Sequence, residues 1–375
     1  MRILFYAHSS TLYGANRSLI ELIAGLQELY PGEIEPHLII PSEGPIISEL
    51  EKQQIPYSVI PHFNWIYFSE HGERWEYSKF LHGLWRAKNK YLKKLKNRIY
   101  FSRHLKFAKD YDPDILYVNS SLNPMGLYVG EKLQKKIVWH HRETVNDPKT
   151  GFFLETENQF QRFSKLTDHR IYPSEFLKDY YLQNSFAGGK NSILYNFPQL
   201  GYEVNQSTFS DKKISFGIIG RLNKQKGQHD VIGWFQEHPE YQLLVFGGSK
   251  DFQLKTSSNV FWKDFTPPEK IYQQIDFLIV NGLNESFGRV VVEANIAGIP
   301  VLARESGALP ELIENGINGW LYRNMEEFEA RIADIDKIDD TYYSSLSKET
   351  RYHAIKNYNK KLIIQQVVEI FRKLI

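Results

Sequence analysis

The residues best suited to chemistry lie in Asn284-Glu285-Ser286-Phe287-Gly288-Arg289-Val290-Val291-Val292-Glu293-Ala294, where two carboxylates stand eight positions apart around an expected helix start. Eight residues advance a helix by about 800°, which at 3.6 residues per turn returns a side chain to about the same face. Both acids are therefore expected to address one ligand. The helix N-terminus, expected over Ser286 to Arg289, offers free N–H groups and a dipole that favour a negative group. A second cluster, Gly220-Arg221-Leu222-Asn223-Lys224-Gln225-Lys226-Gly227, follows an apolar run. Arg221 and Lys226 in such a turn can place two cations on one diphosphate, although a basic turn by itself is more often only solvated. A third loop, Ser10-Thr11-Leu12-Tyr13-Gly14-Ala15-Asn16-Arg17, contains Gly14, which permits close backbone approach or simply makes a strand-to-helix turn. No G-x-G-x-x-G stands at a strand end, which disfavours a nicotinamide dehydrogenase.

These loops need strands and helices to hold them. Apolar runs of strand length occur at residues 2–7, 37–40, 57–60, 114–118, 136–139 and 169–172, and again at 214–219, 242–246, 258–262, 275–280 and 299–303, with helical patterns between. Such alternation predicts an α/β chain with two doubly wound, Rossmann-like parallel sheets facing across a cleft. The polar stretch from Asn196-Phe197-Pro198 to Ser210-Asp211-Lys212 is the expected joint. Domains are thus expected over residues 1–200 and 201–355, followed by an amphipathic helix over 356–375 that packs on either domain.

Composition narrows the possibilities. At 375 residues the chain exceeds one typical core and suits two domains. The absence of cysteine excludes a disulfide framework, a thiolate nucleophile and a thiolate metal site. The apolar start, Met1 to Ala7, is too short for a signal peptide and reads as a first buried strand, and no run of 18 apolar residues is present. A cytoplasmic location is expected. Asp112-Pro113-Asp114 has the letters of a metal-bridging Asp-x-Asp, but its place before a strand predicts an ordinary turn, and no metal site is expected.

Gly220-Arg221 with Lys226-Gly227, Glu285-Ser286-Phe287-Gly288 with Glu293-Ala294, Ala297-Gly298-Ile299-Pro300-Val301 and Ser306-Gly307-Ala308-Leu309-Pro310-Glu311 together resemble the retaining GT-B glycosyltransferases of family 4 (glycosyl transferases group 1). The first half resembles them more weakly, through Gly14-Ala15, Pro113 to Ser120, Val138 to Glu143, Ser174 and Asn196; Tyr13 stands where the family often has a glycine. The resemblance implies a GT-B fold, a nucleotide-diphosphate-sugar donor held by the second domain, and a glycan or polyprenyl-linked acceptor held by the first. It implies that Arg221 and Lys226 bind the diphosphate, Glu293 the ribose and Glu285 the sugar hydroxyls, with the amides of Phe287, Gly288 and Arg289 facing the donor. Gly14 and Gly220 would line the same ligand. His140 aligns better than His141 with a histidine near the reacting sugar. No cofactor or metal is implied, and the context is bacterial surface polysaccharide: capsule, O-antigen or exopolysaccharide. Other activities open to these residues are a sugar-nucleotide epimerase or hydrolase, or a non-catalytic nucleotide-sugar-binding module.

Residues 84–109 contain ten Lys or Arg and no acid, with Leu81, Trp85, Leu92, Leu95 and Ile99 at helical spacing. Such a helix is expected either to lie on an anionic membrane, making the protein peripheral on the inner face of the plasma membrane, or to pack its apolar side on its own domain. The aromatic cluster Phe63 to Phe68 would suit a lipid-linked acceptor. No nucleic-acid-binding module accompanies the basic residues.

Overall fold

Every apolar run named above forms a strand in the computed structural model, which describes residues 1–66, 79–145, 156–184, 189–198, 213–220, 222, 226–247, 257–263 and 266–375, without the side chains of 79–86, 268 and 269. The first half contributes β1 (Arg2–Tyr6), β2 (Glu35–Ile40), β3 (Tyr57–Val59), β4 (Ile115–Asn119), β5 (Lys136–His140) and β6 (His169–Tyr172). A further strand, β7 (Lys190–Ile193), is too polar for an apolar-run criterion to find. The second half contributes β8 (Ser215–Ile219), β9 (Gln242–Phe246), β10 (Val260–Lys263), β11 (Phe277–Val280), β12 (Val301–Arg304) and the short β13 (Gly319–Tyr322). All pairings are parallel, in a 7-stranded sheet of order β3-β2-β1-β4-β5-β6-β7 and a 6-stranded sheet of order β10-β9-β8-β11-β12-β13. Both are doubly wound Rossmann-like sheets.

One side-chain device recurs at the amino ends of these strands. Asp276, just before β11, accepts from Ser215 N–H at 2.8 Å and returns its own N–H to Ser215 O at 2.7 Å. Asp114 does the same with Arg2, at 2.8 Å both ways, and Asp168 with Ile137, at 2.9 and 3.1 Å. Each carboxylate satisfies an N–H at a strand's edge and sets the register of two neighbours. The Asp112-Pro113-Asp114 turn is therefore built into the sheet: Asp114 locks β4 to β1, while Asp112 pairs with Arg2 and Lys135 at 2.6 and 2.8 Å.

The chain divides into one unit of Met1–Tyr195 with Lys360–Ile375 and another of Asn196–Asn359. The terminal helix Lys360–Arg372 buries Ile363, Ile364, Val367, Val368 and Phe371 in the first unit. It lies against the helix Gly14–Leu29, where a Cβ on Gly25 would stand 2.7 Å from Ile364 Cδ1, so a larger residue would force the Ile364 side chain to shift.

The basic helix Lys79–Tyr111 packs differently from one of its two expected arrangements. Among its described side chains Asn97, His104 and Ala108 are buried, whereas Leu92, Leu95 and Ile99 are exposed. Packing on its own domain through Leu92, Leu95 and Ile99 is overturned: Phe101, Leu105 and Ala108 meet the core instead, polar Asn97 binds both backbone groups of Phe63, at 2.8 Å each, and His104 bonds Pro61 O at 3.2 Å, which turns those three residues outward. Leu81 and Trp85 of the stripe, and Tyr67 and Phe68 of the aromatic cluster, lie outside the described side chains.

The first unit buries several neutral histidines. Burial, reinforced by nearby His62, lowers His104 from the ordinary 6.5 to about 3, and burial also lowers His62, His140 and His141. As pH falls below 6.5 the unfolded chain takes up protons that the native state refuses, so stability present above that pH is lost towards pH 3. His104 alone should cost about 2 kcal/mol between pH 7 and pH 5. Urea unfolding of the first unit should show this decline, and His104→Gln should flatten it; a midpoint unchanged from pH 7 to pH 5 would contradict the buried neutral histidines.

Candidate functional site

In each sheet the strand order reverses between two central neighbours, β1 and β4 in the first, β8 and β11 in the second. Helices leave to opposite faces at such a point, and the crevice at the carboxyl ends of these strands is where open α/β sheets bind ligands. The loops singled out from sequence follow these same strands.

In the second unit, Lys226 comes from the loop after β8 and Glu285 from the loop after β11, and Lys226 Nζ stands 3.6 Å from Glu285 Oε1. Gly282 makes room for this pair: a Cβ there would stand 2.7 Å from Glu285 Oε1, whereas one on Gly220 would be in ordinary contact with Lys226 Nζ at 3.7 Å. Gly220 also has a φ of 119°, a backbone conformation that favours glycine. Asn281 binds the two loops together, donating to Gly227 O and accepting from Tyr322 OH at 2.8 Å.

The helix after Glu285 starts later than its sequence predicts. It spans Arg289–Ile296, with Gly288 as N-cap at a φ of 93°, so Ser286 to Gly288 belong to the loop. The helical projection that placed both acids on one face therefore does not extend to Glu285. Tertiary bracing positions it instead: Asn284 adopts a left-handed φ of 57°, Asn284 N–H donates to Ser306 Oγ at 3.1 Å, and Ala308 N–H donates to Glu285 O at 2.8 Å. Glu293, one turn into the helix, is buried and accepts from Arg289 Nε at 2.6 Å and from Tyr272 OH at 3.0 Å. Phe287 turns its ring into the core against Tyr358, leaving only its backbone for a ligand. Arg221 lies outside the described residues.

In the first unit, Gly14 opens the helix after β1 with nothing within 4 Å of where a Cβ would stand. His140 ends β5, buried, with Nδ1 on Tyr117 OH and Nε2 without a hydrogen-bond partner among the described residues. Burial, with nearby Arg142 and His141, holds its pKa well below the usual histidine value, so it is neutral. His141 points to the opposite face, stacked on Tyr172 and bonded through Nδ1 to Ser121 Oγ at 2.8 Å. The surrounding loops are cross-tied. Arg142 Nε donates to Asn119 Oδ1 at 2.8 Å, Asn119 Nδ2 reaches Ala15 O at 3.3 Å, and Glu143 Oε1 accepts from Ser120 Oγ and Ser121 N–H at 2.7 and 2.6 Å. Ser120 carries a φ of 83°, a strained value for serine. Ser174 is the N-cap of Glu175–Gln183, accepting from Leu177 N–H at 3.1 Å.

Sequence reasoning gave no role to Tyr272, Asn281, Ser306 or Asn119, which hold these groups in place. Asn119 and Ser306 at least lie within motifs read from the sequence, whereas Tyr272 and Asn281 lie outside them, and only the fold shows which groups all four touch.

Two Rossmann-like units with their prominent loops at both topological switch points define a GT-B protein. Residues 203–361, less than half of the chain, match the family described as glycosyl transferases group 1. A "41.2 kDa protein in cps region" of Klebsiella pneumoniae is 26% identical over 224 residues, covering 56% of this chain and 62% of that protein. Spore coat protein SA of Bacillus subtilis is 28% identical over 185 residues, covering 42% of this chain and 48% of that protein. These matches thus span between about half and two thirds of the relatives' lengths. Among solved structures, Anabaena HepE in complex with UDP and glucose is 19% identical with a TM-score of 0.73, covering 99% of each chain, a likeness of fold. Among the described residues no helix is long and apolar enough to cross a membrane.

The brace on Glu285 is open to a direct check. A Cβ on Gly307 would stand 2.5 Å from Glu285 N, and Gly307 has a φ of 60°. Gly307→Ala should therefore destabilise the second unit by about 1–3 kcal/mol and displace the Glu285 loop. Urea denaturation measures this, and an unchanged midpoint would mean that the loop yields freely.

Proposed function

We propose that the chain is a family 4 retaining glycosyltransferase that moves a sugar from a nucleotide-diphosphate-sugar to a glycan or polyprenyl-linked acceptor, without a bound metal. The observation that carries this reading is the Lys226–Glu285 pair at the β8/β11 switch point, followed in the next helix by a buried Glu293 that Arg289 and Tyr272 orient. Breaking the sugar–phosphate bond builds negative charge on the leaving diphosphate and oxocarbenium character on the sugar. Lys226 and Arg221 serve the first need. A single preorganised donor at a developing oxyanion contributes about 3–4 kcal/mol.

Glu285 accepts from the donor sugar's hydroxyls. Glu293 takes the ribose: each carboxylate oxygen has two lone pairs, so the bonds from Arg289 and Tyr272 leave acceptor capacity for a diol. The Ser286 hydroxyl and the amides of Phe287, Gly288 and Arg289 contact the donor, and Gly14 and Gly220 let backbone approach the phosphates. His140 lies near the reacting sugar, where a neutral imidazole with a free ring nitrogen can make a hydrogen bond without adding positive charge. The leaving phosphate itself helps to take the acceptor's proton, on the face where the new bond forms. The UDP and glucose bound by HepE, and the cps region that holds the Klebsiella relative, support a nucleotide-sugar donor and a role in bacterial surface polysaccharide.

Incubation with a panel of UDP-, GDP- and dTDP-sugars in EDTA tests the proposal. Acceptor-dependent release of nucleotide is expected; acceptor-independent release would make the protein a hydrolase, and binding alone a non-catalytic module. Lys226→Ala should lower kcat by about 100-fold or more, and full activity in that variant would sink the diphosphate assignment. Glu293→Ala should chiefly weaken nucleotide binding, and calorimetry showing unchanged affinity would remove its ribose role.

A further inference from the structure

The helix Lys79–Tyr111 is 33 residues long, about 50 Å at 1.5 Å per residue, whereas β4, into which it leads, has five residues and spans about 17 Å. Its last turns cover the sheet, with Phe101, Leu105 and Ala108 in the core around Leu4, Ile39 and Leu116. Asn97 is tied to Phe63 in the segment after β3, and Trp65 N–H of that segment donates to Leu122 O in the loop after β4 at 3.0 Å. Asn97 is thus level with the carboxyl-end loops that hold Ser120, Ser121 and His140. The helix before it reaches beyond the sheet on that same side.

Tyr91, Leu92, Leu95 and Ile99 are 39–70% exposed and fall within an arc of about 100° on the helix, opposite buried Asn97, His104 and Ala108. Lys88, Lys96, Arg98 and Arg103 are exposed on and beside this stripe, and no Asp or Glu occurs from Lys79 to Lys109. An apolar stripe rimmed only by cations complements a surface that is anionic outside and apolar beneath. Nucleic acid would meet the cations and leave the stripe in water. We propose that this outer face of the helix docks on an anionic lipid bilayer, seating the first unit's carboxyl-end loops close to the membrane. The inference uses no residue of the donor site.

Sedimentation of the full chain with phosphatidylcholine vesicles, with and without phosphatidylglycerol, tests it. Binding is expected only to the anionic vesicles and should fall with salt. Lys96→Glu/Arg98→Glu should weaken it by about fivefold or more for each cation removed, and Leu95→Glu/Ile99→Glu by about tenfold. These side chains are exposed, so circular dichroism and nucleotide affinity should be unchanged in both variants. Failure to sediment with anionic vesicles at low salt would overturn the proposal, as would full binding by Leu95→Glu/Ile99→Glu. Tight binding of single-stranded DNA that this variant retains, with vesicles ignored, would assign the face to nucleic acid instead. Loss of sugar transfer with vesicle binding intact would count only against the donor-site assignment.

Discussion

Strand register is the constraint on which both sets of loops depend. A parallel pair has no hairpin to set its alignment, so something else must. Asp276, Asp114 and Asp168 do this by exchanging paired hydrogen bonds with the strand alongside. In the second unit the lock is buried, and Tyr343 OH adds a bond to Asp276 O at 2.9 Å. A one-residue slip of β11 against β8 would move the Glu285 loop by about 3.3 Å relative to Lys226 and turn its strand's side chains to the other face. The site's geometry is thus set at the far end of the strands that carry it.

Above that register, the two loops of the second unit are shaped by close backbone contact. Gly282 and Gly307 lie so near Glu285 that a Cβ on either would collide with it, and Asn281 joins the β8 and β11 loops. The carboxylates differ accordingly. Glu293 is buried and held by two donors, while Glu285 is partly exposed with Lys226 as its ionic neighbour. A buried, doubly bonded carboxylate is rigid, and rigidity suits the orienting of hydroxyls better than the transfer of a proton.

The first unit makes its rigidity from side-chain ties. Asn119, Arg142 and Glu143 connect the loops after β1, β4 and β5, and Ser120 keeps a strained backbone because those ties over-determine it. Adjacent His140 and His141 illustrate what strand alternation does. One faces Tyr117, the other Tyr172 and Tyr181, so a single residue of offset separates two environments.

Much of this was legible in the sequence, because hydrophobic burial leaves a periodic trace in a linear chain. The apolar runs marked the strands, their alternation with helical patterns marked two doubly wound sheets, and the loops after strands marked Lys226, Glu285 and Glu293. Polar β7 and short β13 left no such trace. Three matters waited for the tertiary structure. Helical phase related the two acids on paper, but Gly288 caps the helix after Glu285, and a capping boundary depends on backbone angles that neighbouring loops impose. The basic helix showed one apolar stripe, yet its inward side is the one that carries Phe101, Leu105 and Ala108 onto the core and ties Asn97 to Phe63, a choice that only the neighbouring elements make. The turn at Asp112-Pro113-Asp114 was expected from its place before a strand, but the partner of Asp114, the Arg2 N–H, lies over a hundred positions away in the chain and only the sheet brings it near.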